Sequence, residues 1–193
     1  MASRILGAQL RRGRRALALA LLGAVLALAE APPPQPRYRP DGQLVRPEGY
    51  REWIFVGANL NMGYQEGAPP PKEDRFHNIY LPREAYRRFA ATGQFPDKTM
   101  LVMEVVRGAT NASINRRGTF QDQLAGIEVA VKDTARYPEG WAYFNFIGPD
   151  GKALAEAKPF PKEACWDCHH QHGAVDNVFV QFYPVLRDLR PQP

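Results

Sequence analysis

The chain contains two cysteines, Cys165 and Cys168, and His169 follows the second directly. No other feature limits the fold so strongly. The run Cys165-Trp166-Asp167-Cys168-His169 has the C-x-x-C-H spacing that attaches haem c. Two thiols at that separation lie on one turn of chain, so each can form a thioether to a vinyl group of the same porphyrin. The adjacent imidazole then lies under the iron. Neutral imidazole suits iron as a ligand, and a proximal histidine leaves the opposite axial position to be decided by the rest of the protein. The alternatives are a redox C-x-x-C, half of a zinc site, or a plain disulfide. A zinc site needs further ligands at sensible spacing, and a thioredoxin-like site does not call for a histidine at that position. One covalently attached haem c, with His169 on its iron, is the expected cofactor.

The N-terminal stretch reads as an address. Arg4, Arg11, Arg12, Arg14 and Arg15 precede an apolar run from Ala16 to Ala29, and Ala27-Leu28-Ala29 offers a small-x-small cleavage site. The run falls short of the about 20 apolar residues that a transmembrane helix needs. Residues 1–29 are therefore read as a cleaved signal peptide, and the mature protein is expected in the periplasm, free of the membrane. With no cysteine at the cleavage site, a lipoprotein is not suggested. Both thiols must be accessible when haem is added, which favours export of the unfolded chain. The sequence carries 25 Lys+Arg and 20 Asp+Glu. Removing the five leader arginines leaves 20 basic against 20 acidic residues, so no basic footprint for nucleic acid remains.

Residues 30–48, with Ala31 to Pro40 reading APPPQPRYRP, form a proline-rich arm that cannot hold a helix or a central strand. Residues 49–190 are long enough for one haem-binding domain with a real core. An apolar block at Trp53 to Val56 stops at Gly57, and the chain is extended again from Phe76 to Leu81. Pro82 to Thr92 predicts a helix, with Ala85, Phe89 and Ala90 at helical spacing and Gly93 at the C-terminal cap. Thr99 to Arg107, Leu124 to Lys132 and Trp141 to Ile147 read as strands, the last closed by a turn at Pro149-Asp150-Gly151. Gly108 to Gln123 is polar and reads as a loop. Short connections without crossover helices predict an α+β, β-rich fold. Its antiparallel sheet carries a few short helices, one of them the haem-attachment helix between Pro161 and Gly173. Asp176 is placed to cap a final apolar segment, Val178 to Leu186.

The C-terminal third, His172-Gly173-Ala174, Asp176 and Val178 to Leu186 after the haem motif, resembles the cytochrome P-460 family, which includes the β-type cytochromes c prime. Upstream segments agree in order: Tyr50-Arg51-Glu52-Trp53, Ile79-Tyr80-Leu81, Tyr86, Thr92 to Asp97, Gly126-Ile127-Glu128 and Val131-Lys132-Asp133. The resemblance implies a β-rich fold holding one c-type haem with an enclosed distal pocket, and often a homodimer. Members that oxidise hydroxylamine carry a lysine cross-linked to the porphyrin. Carried over from Phe95 and Asp97, that position falls on Met103, and methionine cannot make the cross-link.

Four further expectations concern the pocket. His77 is a candidate distal hydrogen-bond donor or sixth ligand, with an ordinary half-exposed strand histidine as the alternative. Met103 is either an axial thioether or core filling. Glu128, on the opposite face from Ile127 and Val129, is the candidate for proton transfer. Phe76, Trp141, Phe144, Phe179 and Phe182 are expected around the cofactor, while His170 and His172 are read as surface or propionate-side residues. Three functions fit: a five-coordinate haem protein binding a small gaseous or nitrogenous ligand such as nitric oxide, a haem oxidoreductase acting on hydroxylamine or a related compound, and an electron carrier with a redox partner protein.

Overall fold

Apolar β-branched residues recur through the middle of the chain, and in the computed structural model they build an antiparallel sheet. The structure describes residues 32–64, 67 and 69–189; the leader read as a signal peptide lies outside them. The strands are β1 (Leu44–Val45), β2 (Ile54–Leu60), β3 (Arg75–Leu81), β4 (Met100–Ala109), β5 (Phe120–Lys132), β6 (Trp141–Asn145) and β7 (Glu156–Ala157). The helices are α1 (Arg83–Thr92), α2 (Lys162–His172) and α3 (Pro184–Arg187), with single 3-10 turns at Tyr50–Glu52 and Val180–Phe182. The main sheet has the order β2-β3-β4-β5-β6, and β1 pairs with β7 in a second sheet of two strands. Every pairing is antiparallel, so the fold is α+β and β-rich, as the sequence predicts. Among the described residues no helix is long and apolar enough to cross a membrane.

Register decides what the sheet presents. Met103 lies opposite Ile79 on β3 and Glu128 on β5, while Leu101 lies opposite Ala130, and Ala130 opposite Tyr143. Side chains alternate along a strand, so Ile79, Leu101, Met103, Glu128, Ala130, Lys132, Trp141 and Tyr143 share one face. Tyr80, Val102, Glu104, Val129, Val131 and Phe144 share the other. Both faces are covered. The first packs against Ala85 and Phe89 of α1, Phe95, and Val178 to Leu186 near the C-terminus. The second packs against Leu44, Tyr50, Ile127 and Phe146, with Tyr38 at its margin. The proline-rich arm is thus tied into the domain, because Leu44 is fully buried and Leu44 and Val45 pair with β7. A sheet buried on both sides reads as a nearly continuous apolar run, which is why β4 looks as it does. Its one buried carboxylate, Glu104, accepts hydrogen bonds from the Tyr50 hydroxyl at 2.7 Å and from the Arg51 guanidinium.

Three local readings are corrected. Gly57 does not end the first strand; it lies inside β2, where a Cβ would stand 3.2 Å from Tyr183 Cα and 3.3 Å from the Pro184 ring. The glycine is there because the C-terminal segment crosses the strand at that point. The Gly108 to Gln123 loop is shorter than its polarity implies. β4 runs on to Ala109 and β5 starts at Phe120, with breaks in register beside Val105 and Arg107. The segment after Asp176 is a 3-10 turn followed by α3, and Asp176 caps neither. Helix α1 matches its sequence signals: Gly93 is left-handed at φ 69° and donates its N–H to Phe89 O at 2.7 Å.

Candidate functional site

Helix α2 starts directly after Pro161, whose backbone stays extended, and stops at Gly173. A Cβ at Gly173 would stand 2.6 Å from His169 O and 2.8 Å from the carbonyl carbon of Asn177, so the chain can turn here only without a side chain. The turn is completed by two consecutive left-handed residues, Asp176 at φ 49° and Asn177 at φ 61°. Asp and Asn tolerate that conformation better than other residues with side chains. The result is that Asn177 O lies 2.9 Å from His169 Nδ1. A carbonyl oxygen can only accept, so Nδ1 carries the proton and Nε2 keeps its lone pair, the tautomer a metal-binding imidazole needs. Burial lowers the pKa of His169, which favours the neutral ring. Tyr143 and Phe179 hold it, with ring centroids 4.2 and 4.4 Å away.

The same turn is tied to the sheet. Lys132 Nζ donates to Asp176 Oδ2 at 2.7 Å and Trp141 Nε1 donates to Asp176 Oδ1 at 3.1 Å. Asp176 is therefore an anchor to neighbouring strands. Both of its polar partners lie on one sheet face as a directly opposed cross-strand pair, and these draw its carboxylate away from the backbone amides that a cap would bind. Lys132 is held from its other side by Phe95 O at 2.8 Å.

Cys165 and Cys168 are unpaired thiols, half-buried and three positions apart on α2. Both pack against the core on the first sheet face. Burial pushes the Cys165 thiol up, and the neighbouring Glu128 carboxylate adds to the effect. Among the described residues no group of three or more His, Cys, Asp or Glu is placed to hold a metal ion unaided. His170 lies at the surface and His172 is exposed. The His170 ring stacks on Trp166 at 4.3 Å, and Trp166 Nε1 donates to Glu139 O at 3.2 Å.

Between the sheet and α2 lies a cavity of about 140 Å³, open to solvent on one side. Ile79, Leu101, Met103 and Glu128 face it from the sheet and Cys165 and His169 from α2, while Phe179 and Phe182 come from the C-terminal segment and Tyr64 from the β2–β3 loop. The walls are mainly apolar, a free thiol and an imidazole with an available Nε2 enter from one helix, and the second thiol is one turn away. This donor set fits a haem c. No lysine is among the described residues lining the cavity.

The sequence candidates divide here. Met103, Glu128, Cys165 and His169 all line this one cavity. Cys168 lies beside it on α2. His77 is on the same sheet face, paired with Asn59 and Val105, but it is not in the cavity wall. Its pKa is lowered by burial and by Arg75, and it stays a half-buried strand histidine. Of the expected aromatics, Phe144, Phe179 and Phe182 reach the wall, whereas Phe76 and Trp141 do not. Sequence reasoning misses Tyr64, Tyr143, Asn177 and Tyr183, which also line the wall. Tyr143 is placed there by register, since it lies directly opposite Ala130, another residue of the wall.

Glu128 is exposed by surface area, but protein atoms crowd its carboxyl at the cavity, and this desolvation raises its pKa. The folded form thus holds this proton at a higher pH than the unfolded chain does. Glu128 therefore favours folding in acid and opposes it as pH rises through the folded pKa. Glu128→Gln is expected to match wild-type stability in acid and exceed it at neutral pH, measured as denaturant midpoints over a pH series. A wild type that gains on the variant as pH rises would refute the assignment.

The family model described as Cytochrome P460 matches residues 47–180. No curated protein matches the chain significantly.

Proposed function

The chain belongs to the cytochrome P460 family, and from that premise we propose that it is an exported mono-haem c protein whose iron, held by His169, binds a small ligand such as nitric oxide. Cys165 and Cys168 would hold the porphyrin through thioethers. When bound, the haem would supply an iron able to take a small diatomic ligand. The chain's own part is to fix the imidazole tautomer through Asn177 O, to clamp the ring between Tyr143 and Phe179, and to line the cavity with apolar side chains that exclude water. Glu128 is the one carboxylate among the described residues of that wall, raised in pKa by desolvation, and is suited to hold or pass a proton to a ligand atom.

The observation that carries this reading over hydroxylamine oxidation is Met103. It stands in the cavity wall at the position to which the resemblance carries the cross-linking lysine, and no described lysine lines the wall in its place. Lys132, on the neighbouring strand, is committed to Phe95 O and Asp176. The proposal extends to a periplasmic address through the 1–29 leader, a redox partner protein, and a homodimer.

Absorption spectroscopy of the ferrous protein tests it. The expected outcome is a high-spin spectrum, ready binding of nitric oxide, and slow or absent turnover of hydroxylamine, all unchanged in Met103→Leu. That substitution keeps side-chain volume and removes the sulfur. A low-spin spectrum with a sulfur-to-iron charge-transfer band, lost in Met103→Leu, would make the protein an electron carrier instead. An acid-stable, red-shifted, cross-linked haem band would restore the oxidase.

A further inference from the structure

Asn177 O is shared. Besides the 2.9 Å contact with His169 Nδ1, it accepts from the Tyr143 hydroxyl at 3.3 Å. Two donors on one carbonyl compete for its electron density. The more strongly His169 Nδ1–H is drawn to the oxygen, the more imidazolate character the ring acquires, and the more it stabilises ferric over ferrous iron.

The position of that oxygen is not left to the local chain. Two successive non-glycine residues with positive φ are uncommon, and here they are held by Asp176, whose two carboxylate oxygens are taken separately by Lys132 and Trp141. The Lys132–Asp176 pair is mostly buried, at 17 and 23 % side-chain exposure, so solvent screens it little. Trp141 and Tyr143 are two residues apart on β6 and point to the same face. One strand therefore supplies both the tryptophan that anchors the turn and the tyrosine that tempers its carbonyl.

We propose that Asn177 O is the point at which this protein sets the reduction potential of its haem, held in position by Lys132 and Trp141 through Asp176 and moderated by the Tyr143 hydroxyl. Lys132, Trp141, Asp176 and Tyr143 are positioning residues, acting on the iron only through His169. The inference rests on His169 being the proximal ligand.

The two arms of the device predict shifts of opposite sign. In Asp176→Ala the turn loses its anchor, the bond to His169 Nδ1 loosens, and the potential is expected to rise while the iron–histidine stretching frequency of the ferrous protein falls. In Tyr143→Phe the carbonyl serves His169 alone, so the potential is expected to fall and the frequency to rise. Asp176→Asn, which still accepts from Trp141 and tolerates the left-handed backbone, is expected to lie between wild type and Asp176→Ala. Potentials are read by spectroelectrochemical titration and frequencies by resonance Raman on the intact haem proteins. Shifts of the same sign in Asp176→Ala and Tyr143→Phe, or no shift in either, would overturn the inference. If Asp176→Ala fails to fold, Tyr143→Phe and Asp176→Asn still decide it by their opposite signs. A wild type without an iron–histidine band would remove the five-coordinate reading of the iron, while the potentials would still decide this inference.

Discussion

Acidified acetone is expected to strip the haem from a Cys165→Ala/Cys168→Ala variant and to leave it on the wild-type protein. The thiols are unpaired, three positions apart on α2, and pack toward the side of the helix from which Cys165 enters the cavity. Without them the porphyrin is held by His169 and apolar contact alone, and denaturing solvent removes both. The measurement is the haem absorbance left with the protein after extraction, from cells equipped to attach haem. Loss of haem from the wild type under the same conditions would end the covalent assignment.

Gly173→Ala is expected to destabilise the protein by about 1–3 kcal/mol or more, the usual cost of forcing extra atoms into a closely packed site. The backbone itself is not the difficulty, since φ at Gly173 is −67°, a value alanine adopts freely. The methyl would stand 2.6 Å from His169 O, 2.8 Å from Asn177 C and 2.9 Å from Val178 N, all backbone atoms that cannot rotate away. Relief requires parting α2 from the turn, which pulls Asn177 O off His169. The variant should therefore lose thermal stability and alter its haem spectrum together. Gly63→Ala, where an added methyl meets nothing within 4 Å, is the control and is expected to be near neutral. If both behave alike, the close approach is not what holds the turn.

How much of the fold is legible in the sequence depends on range. Helix α1 announces itself through Pro82, Phe89 and Gly93, all within one short stretch, and β4 and β5 through runs of Val and Ile. The haem motif is likewise local, so Cys165, Cys168 and His169 are legible by spacing alone. Gly57 misleads because its reason, the backbone at Tyr183, lies far along the chain. Asp176 resembles a cap because local rules offer only amides, while its true partners, Lys132 and Trp141, are brought to it by the pairing of β5 with β6. Along β6 alternation sets Trp141 and Tyr143 on one face and Phe144 on the other, yet Tyr143 and Phe144 line the cavity while Trp141, hydrogen-bonded to Asp176, does not. Met103 and Glu128 can each be picked out alone, yet they are direct cross-strand partners. The register breaks beside Val105 and Arg107 hide that from any counting of residues outward from the β4–β5 loop.

The crossing at Gly57 also bears on the order of assembly. Strand β2 is made early and α3 late, yet Tyr183 and Pro184 press against β2 at a point where not even a methyl would fit comfortably. The cavity wall includes Phe179, Phe182 and Tyr183, so the pocket is roofed only when this segment is docked on β2. With that segment away from β2, the cavity faced by Cys165 and His169 has lost three of its wall residues. A chain stopped after Gly173 should keep the cavity open, with Cys165 and Cys168 alkylated by a bulky maleimide much faster than in the full-length protein lacking haem. Equal rates would mean that the roof does not govern access to the thiols.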